Sequence, residues 1–237
     1  MKLADRLNYI RDSLYKAAEK SGQNPEAVTL VGVTKSVPVD LIAEAVRSGL
    51  SDIGENRVQE ALKKREELIS ILPPEYPGPR WHLVGHLQRN KTKHAVRLFD
   101  LIHSVDSFPL AEEIDRRAEG AGRVLDILLE VNASGEASKQ GCGPGEVEEL
   151  AQEISRLTHV VVRGLMTMAP LAKDPESSRP VFSKVKTLYN RLAVHRFPRV
   201  KMEILSMGMS QDYTVAVEEG ANLVRIGRAL FGERHVR

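Results

Sequence analysis

The stretch LVGVTKSVP, residues 30–38, is a short apolar run that ends on a charge. Leu30, Val31, Gly32 and Val33 have the composition of a strand covered on both faces. Thr34 and Lys35 close it, and Ser36-Val37-Pro38 reads as a turn. A lysine at the tip of such a strand must snorkel to water, pair with an anion or bond to something. An apolar setting also disfavours the ammonium and frees the amine as a nucleophile, which is what a Schiff-base lysine needs.

The same kind of run recurs along the chain. The runs are VTLVGVTK (28–35), LSDIGEN (50–56), RWHLVGH (80–86), LIHSVDS (101–107), LDILLEVNA (125–133), VVVRGLMTM (160–168), KMEILSMG (201–208) and NLVRIGR (222–228). Between them lie helical patterns, among them LIAEAVRSG, RVQEALKKREELISIL, LAEEIDRRAEG, EVEELAQEISRL and VFSKVKTLYNRLAVH. Several open behind capping or turn residues such as Asp106-Ser107. Strict β-then-α order over eight strands is the pattern of a single (β/α)8 TIM barrel, with a doubly wound open sheet as the competitor. An extra N-terminal helix precedes it, with Leu3, Leu7, Ile10 and Leu14 at helical spacing. With no linker, repeat or low-complexity tract, residues 1–237 are expected to form one domain, and PPEYPGP (73–79) reads as a rigid loop inside it.

Composition narrows the function. Charged residues make up 28% of the chain, cover both signs and leave a net charge of +2. That balance argues against nucleic-acid binding driven by bulk charge. The one cysteine, Cys142, excludes an internal disulfide and fits a reducing cytoplasm. The N-terminus lacks the continuous apolar core of a signal peptide, and no segment approaches the ~20 apolar residues that span a bilayer. A cytoplasmic protein with no membrane contact is expected.

In a TIM barrel the functional residues collect at the C-terminal ends of the strands. Those ends read Lys35, Glu55-Asn56, His82 to His86, Asp106, Asn132, Met166 to Met168, Ser206 to Ser210 and Arg225 to Arg228. SMGMSQD (206–212) and RIGRALFG (225–232) follow strands seven and eight, where barrels commonly hold phosphate. Ser210 offers a hydroxyl there or simply caps the next helix. Gly227 admits backbone close to a phosphate or simply makes a tight turn. Arg225 forms an ion pair at the mouth, or it faces an anion or a ring nitrogen. Asn56 caps a helix or contacts a ligand. His82 and His86 have no second His or Cys at metal-ligand spacing, so no metal site is expected. NASGEASKQGCG (132–143) is a candidate cover for the mouth, and QRNKTKH (88–94) reads as solvated surface.

Together, GVTKSVP, IGENRVQEA, WHLVGHLQRNK, NASGEASKQG, RGLMTMAP, LSMGMSQDY and VRIGRALFG run in the order of one family. From about residue 28 to its end the chain resembles the pyridoxal phosphate homeostasis proteins. The resemblance implies an alanine racemase N-terminal-like barrel (fold-type III) that holds pyridoxal 5′-phosphate (PLP) as a Schiff base on Lys35. It implies that Ser210, Gly227 and the backbone of Arg228 contact the phosphate. It implies that Arg225 faces the pyridine nitrogen and that Asn56, His82 and Met209 line the cofactor. Arg57 and Arg228 depart from the tyrosine and the serine or threonine that many relatives carry, and the second departure removes a hydroxyl from the phosphate contacts.

The function so implied is vitamin B6 homeostasis. A monomer with no catalytic residues would bind PLP reversibly, buffer it and deliver it to apo-PLP enzymes. The alternative is a weak amino-acid racemase or transaminase. Alanine racemase takes its second base from a tyrosine of a separate domain, for which this chain is expected to have no room. Tyr9, Tyr15, Tyr76, Tyr189 and Tyr213 all fall in helices or a loop, and Tyr213 reads as helix packing. An arginine opposite the ring nitrogen also weakens the cofactor as an electron sink. A third reading drops the cofactor and makes Lys35 the Schiff-base lysine of an aldolase acting on sugar phosphates.

Overall fold

The computed structural model describes residues 1–73, 76, 78–136 and 139–232. Pro74, Glu75 and Pro77 of the proline-rich loop, and Ala137 and Ser138 of the Gly/Ser-rich loop, lie outside the described residues. Eight parallel strands close into a barrel in sequence order. They are β1 (Thr29–Val33), β2 (Asp52–Glu55), β3 (Arg80–Leu83), β4 (Leu101–Val105), β5 (Leu125–Glu130), β6 (Val160–Met166), β7 (Val200–Ser206) and β8 (Leu223–Ile226). β1 pairs with both β2 and β8, which excludes the open sheet. Each apolar run read from the sequence marks one strand, which ends before its run does; β7 begins one residue ahead of its run.

The helices follow the strands on the outside. They are α1 (Leu3–Lys20), α2 (Val39–Arg47), α3 (Val58–Ile71), α4 (Thr92–Leu98), α5 (Phe108–Glu119), α6 (Val147–Ile154), α7 (Arg179–Val194), α8 (Tyr213–Glu218) and α9 (Arg228–Phe231). α1 buries Leu3, Leu7, Ile10, Leu14, Ala17 and Ala18, a stripe at helical spacing, and packs on α8 and α9. Arg6 fastens it with a 2.6 Å hydrogen bond from Nε to the Leu230 carbonyl. Among the described residues no helix is long and apolar enough to cross a membrane.

Strand alternation splits the core in two. One layer lies between barrel and helices and contains Ile42, Ile53, Leu83, Phe99, Ile114 and Phe182. Full burial of each such side chain stabilises by about 1.5–3 kcal/mol. The smaller layer fills the barrel interior with Val31, Leu101, Leu128, Met166 and Leu223, against Ile204. The pairing of β6 with β7 slips between Val162 and Gly164. Gly164 has φ +151, and a Cβ there would fall 1.7 Å from the Ile204 carbonyl oxygen, so only glycine lets the two strands meet.

Candidate functional site

Lys35 lies two residues beyond the end of β1, and its backbone is pinned on both sides. Thr34, fully buried, donates its hydroxyl to Glu55 Oε1 at 2.6 Å. Ser36, held at φ 60, donates its N–H to Glu60 Oε1 at 2.7 Å. Lys64 of α3 ties the two carboxylates together: its ammonium donates to Glu55 at 2.7 Å, to Glu60 at 2.6 Å and to the Thr34 carbonyl at 2.6 Å. Burial pushes Glu55 above the usual carboxylate range and outweighs its bonds from Lys64 and Thr34. Burial acts on Glu60 in the same sense, but there the bonds from Lys64 and the Ser36 N–H win and hold it low. The Lys35 side chain itself is half-buried and has no hydrogen-bond or ion-pair partner among the described residues.

A pocket opens at the C-terminal ends of the strands, with Val33, Val84, Met168 and Met209 among its apolar lining; Val33 is two residues before Lys35, and Lys35 itself is not among the lining residues. Polar groups reach it from Asn56, Ser210, Arg225, Gly227 and Arg228. Asn56 is not a helix cap, since α3 starts from Arg57, and its amide has no partner among the described residues. Ser210 is not a cap either. Asp212 precedes α8, and Ser210 Oγ instead accepts the Ala229 N–H at 3.2 Å, joining the loops after β7 and β8. Gly227 has φ −105, and a Cβ there would only touch Val33 at 3.4–3.6 Å. The fold therefore does not demand glycine at this point; its missing side chain keeps the pocket open.

Arg225 is the charge at the base of this pocket. It donates from Nη1 to the Ser206 carbonyl at 2.9 Å and to Ser206 Oγ, and from Nη2 to the Thr167 carbonyl at 2.8 Å. A guanidinium has five donors, so two N–H groups are left without a partner among the described residues. Burial pulls its pKa down to about 10, with Glu130 and Asp212 opposing, and it stays cationic at neutral pH. Glu130 ends β5 facing it. Burial, reinforced by the charge of Asp106, pushes Glu130 up to about 7 against the pull of Arg225.

His82 corrects the sequence reading. It does not line the pocket; it lies inside the barrel, 1% exposed, between Asp52 and His103. The apolar run was taken to 86, whereas β3 ends at Leu83, and His82 lies inward of the pocket-lining Val84. Sequence reasoning gave no role to Glu130, His103, Ser206 or Lys64, although it named Ser206 as a strand end. The signal available for the first three was a polar residue at an alternate position inside an apolar strand. Tyr213 packs in the core as expected, and the loop at 132–143 reaches the pocket rim through Lys139 Nζ, 3.4 Å from the Met168 carbonyl. Burial raises the Cys142 thiol to about 12, which leaves it unreactive. Among the described residues no group of His, Cys, Asp and Glu could hold a metal ion.

Comparison with known proteins places this geometry. Residues 7–235 match the alanine racemase N-terminal domain. A pyridoxal phosphate homeostasis protein of Aquifex aeolicus is 43% identical over 99% of both chains. The structure of PipY of Synechococcus elongatus with PLP bound superposes with a TM-score of 0.83 at 38% identity, covering 98% of this chain and all of that one. An alanine racemase of Clostridium difficile shares the fold alone, with a TM-score of 0.72 at 14% identity over 98% of this chain and 58% of its own. The chain belongs to the alanine racemase N-terminal domain family and, within it, to the pyridoxal phosphate homeostasis proteins.

Proposed function

We propose that the barrel mouth binds PLP reversibly, with the Lys35 amine condensing with the cofactor aldehyde to a Schiff base and one water. The observation that carries this reading is Lys35: an amine without a partner among the described residues, on a backbone pinned at Thr34 and Ser36, two residues past Val33, which lines the apolar-walled pocket. The other residues fit the same group. Arg225 offers two unpaired N–H donors to a ring nitrogen. Gly227 leaves the space a phosphate needs, between Ser210 and Arg228. Asn56 and Met209 flank the ring. PLP supplies an electrophilic aldehyde and an electron sink. The protein binds it, orients it and shields the aldehyde.

The role is that of a carrier: a cytoplasmic monomer that buffers PLP and hands it to apo-enzymes. Reversible retention needs no acid or base on either face of a bound amino acid, and none of the five tyrosines is among the pocket-lining residues. A second reading, slow racemase or transaminase chemistry, draws on Glu130, which burial pushes up to about 7, but Glu130, like the tyrosines, is not among the pocket-lining residues. Exchange of an amino acid's α-hydrogen with deuterium, lost in Glu130→Gln, would favour it.

Lys35→Ala tests the binding reading. The wild type is expected to take up PLP with a yellow absorption band and release it on denaturation. The variant is expected to lose the band and to bind at least ~100-fold more weakly, since a covalent link and a charge partner for the cofactor go together. Unchanged affinity in the variant would remove Lys35 from the site.

A further inference from the structure

His82 and His103 stand inside the barrel below the mouth pocket, and PLP binding as described gives them no part. Their contacts nevertheless run without a break from floor to mouth. Ser51 Oγ donates to one Asp52 carboxylate oxygen at 2.6 Å, and His82 Nε2 lies 2.9 Å from the other. His82 Nδ1 is 3.0 Å from His103 Nε2, and His103 Nδ1 is 3.1 Å from Ser206 Oγ. Arg225 Nη1 donates to that same hydroxyl oxygen. Asp52, His82, His103, Ser206 and Arg225 are all buried.

The two ends fix the bonds they make, and the need to satisfy every buried donor fixes those between. A carboxylate only accepts and a guanidinium only donates. Burial works against the Asp52 charge, but the bonds from His82 and Ser51 outweigh it, with Arg80 4.0 Å away as a further cation. Asp52 therefore accepts a proton-bearing Nε2 from His82. If His82 carries that one N–H, its Nδ1 accepts from His103 Nε2. His103 Nδ1 then accepts the Ser206 hydroxyl, and every group is satisfied. If His82 carried two, the row would reverse: His103 would donate to Ser206, and the hydroxyl hydrogen would face an arginine with no acceptor. Buried donors are rarely left so. Burial also holds His103 far below the usual histidine range.

We infer that Asp52, His82, His103 and Ser206 form a one-way hydrogen-bond row, each histidine protonated on Nε2, that holds the Arg225 guanidinium toward the mouth pocket. They are positioning residues, acting on a ligand only through Arg225. Their effect on PLP rests on the binding reading above; the proton arrangement does not.

Two measurements test the row. In ¹⁵N NMR of the ligand-free protein at neutral pH, both Nδ1 atoms are expected to be unprotonated and both Nε2 atoms protonated. A doubly protonated His82, or a His103 protonated on Nδ1, overturns the inference. The second measurement is PLP titration of the wild type, His103→Gln and His103→Leu. Glutamine can donate and accept in the same row, so its affinity is expected within about twofold of wild type. Leucine strands the Ser206 hydroxyl and frees Arg225 to turn, and is expected to weaken binding about tenfold. Wild-type affinity in folded His103→Leu, or equal losses in both variants, overturns the inference. Should His103→Leu fail to fold, the NMR result and His103→Gln decide. A wild type that binds no PLP defeats the binding reading alone, and the NMR result then decides on the row.

Discussion

Lys64→Met is expected to destabilise the protein by about 3–5 kcal/mol at pH 7, the size of loss seen when one partner of a buried ion pair is removed. Glu55 is fully buried and its second carboxylate oxygen, Oε2, already lacks a partner. Lys64 is the cation that compensates it, 2.7 Å away. Methionine keeps the stem's volume and removes the charge with its three hydrogen bonds, so the loss is polar rather than a cavity. The penalty has a pH signature. Burial already raises Glu55 above 4.5 in the folded state, and without Lys64 it rises further. As pH falls, the unpaired carboxylate takes up a proton and the difference from wild type shrinks. Urea unfolding at pH 7 and pH 5 measures both values. A penalty under ~1 kcal/mol, or one that does not change with pH, contradicts the account. Because the same ammonium holds the Thr34 carbonyl, PLP binding through Lys35 is expected to weaken as well.

Glu130→Gln is expected to do the reverse and stabilise the ligand-free protein at high pH. The folded-state pKa of Glu130 is about 7, against 4.5 for an ordinary glutamate. Between those values the folded state binds more protons than the unfolded one, so stability falls as pH rises through that window and stays low above it. The gap corresponds to at most about 3 kcal/mol. Glutamine does not ionise and avoids the loss. The variant is expected to match wild type near pH 4.5 and to exceed it by up to about 3 kcal/mol at pH 8. Parallel stability profiles for the two proteins across this range would show that Glu130 titrates like an exposed carboxylate.

The parts of the molecule legible in the sequence are those set by local pattern. Apolar runs of strand length gave the eight strands, and the end of each run pointed to Asn56, Ser210, Arg225 and Gly227, which do gather at one pocket. What the sequence hid are pairings across the barrel. Ser206 meets His103 over 103 residues, and no spacing rule announces that contact. Thr34, Glu55, Glu60 and Lys64 are closer in sequence, but Lys64 sits in a helix rich in charge and reads like solvated surface until its burial is known. The depth of His82 was hidden for a related reason. Strand ends cannot be read to within one layer of the barrel, and one layer separates the mouth from its interior.

The central claim is that Lys35 is the amine that holds PLP. Borohydride reduction of the PLP-loaded protein, followed by peptide mass mapping, tests it most directly, because reduction fixes the cofactor to the nitrogen that carried it. The expected result is one phosphopyridoxyl group per chain, on the peptide containing Lys35. A modification spread over surface lysines, or located at another single lysine such as Lys139, would contradict the account.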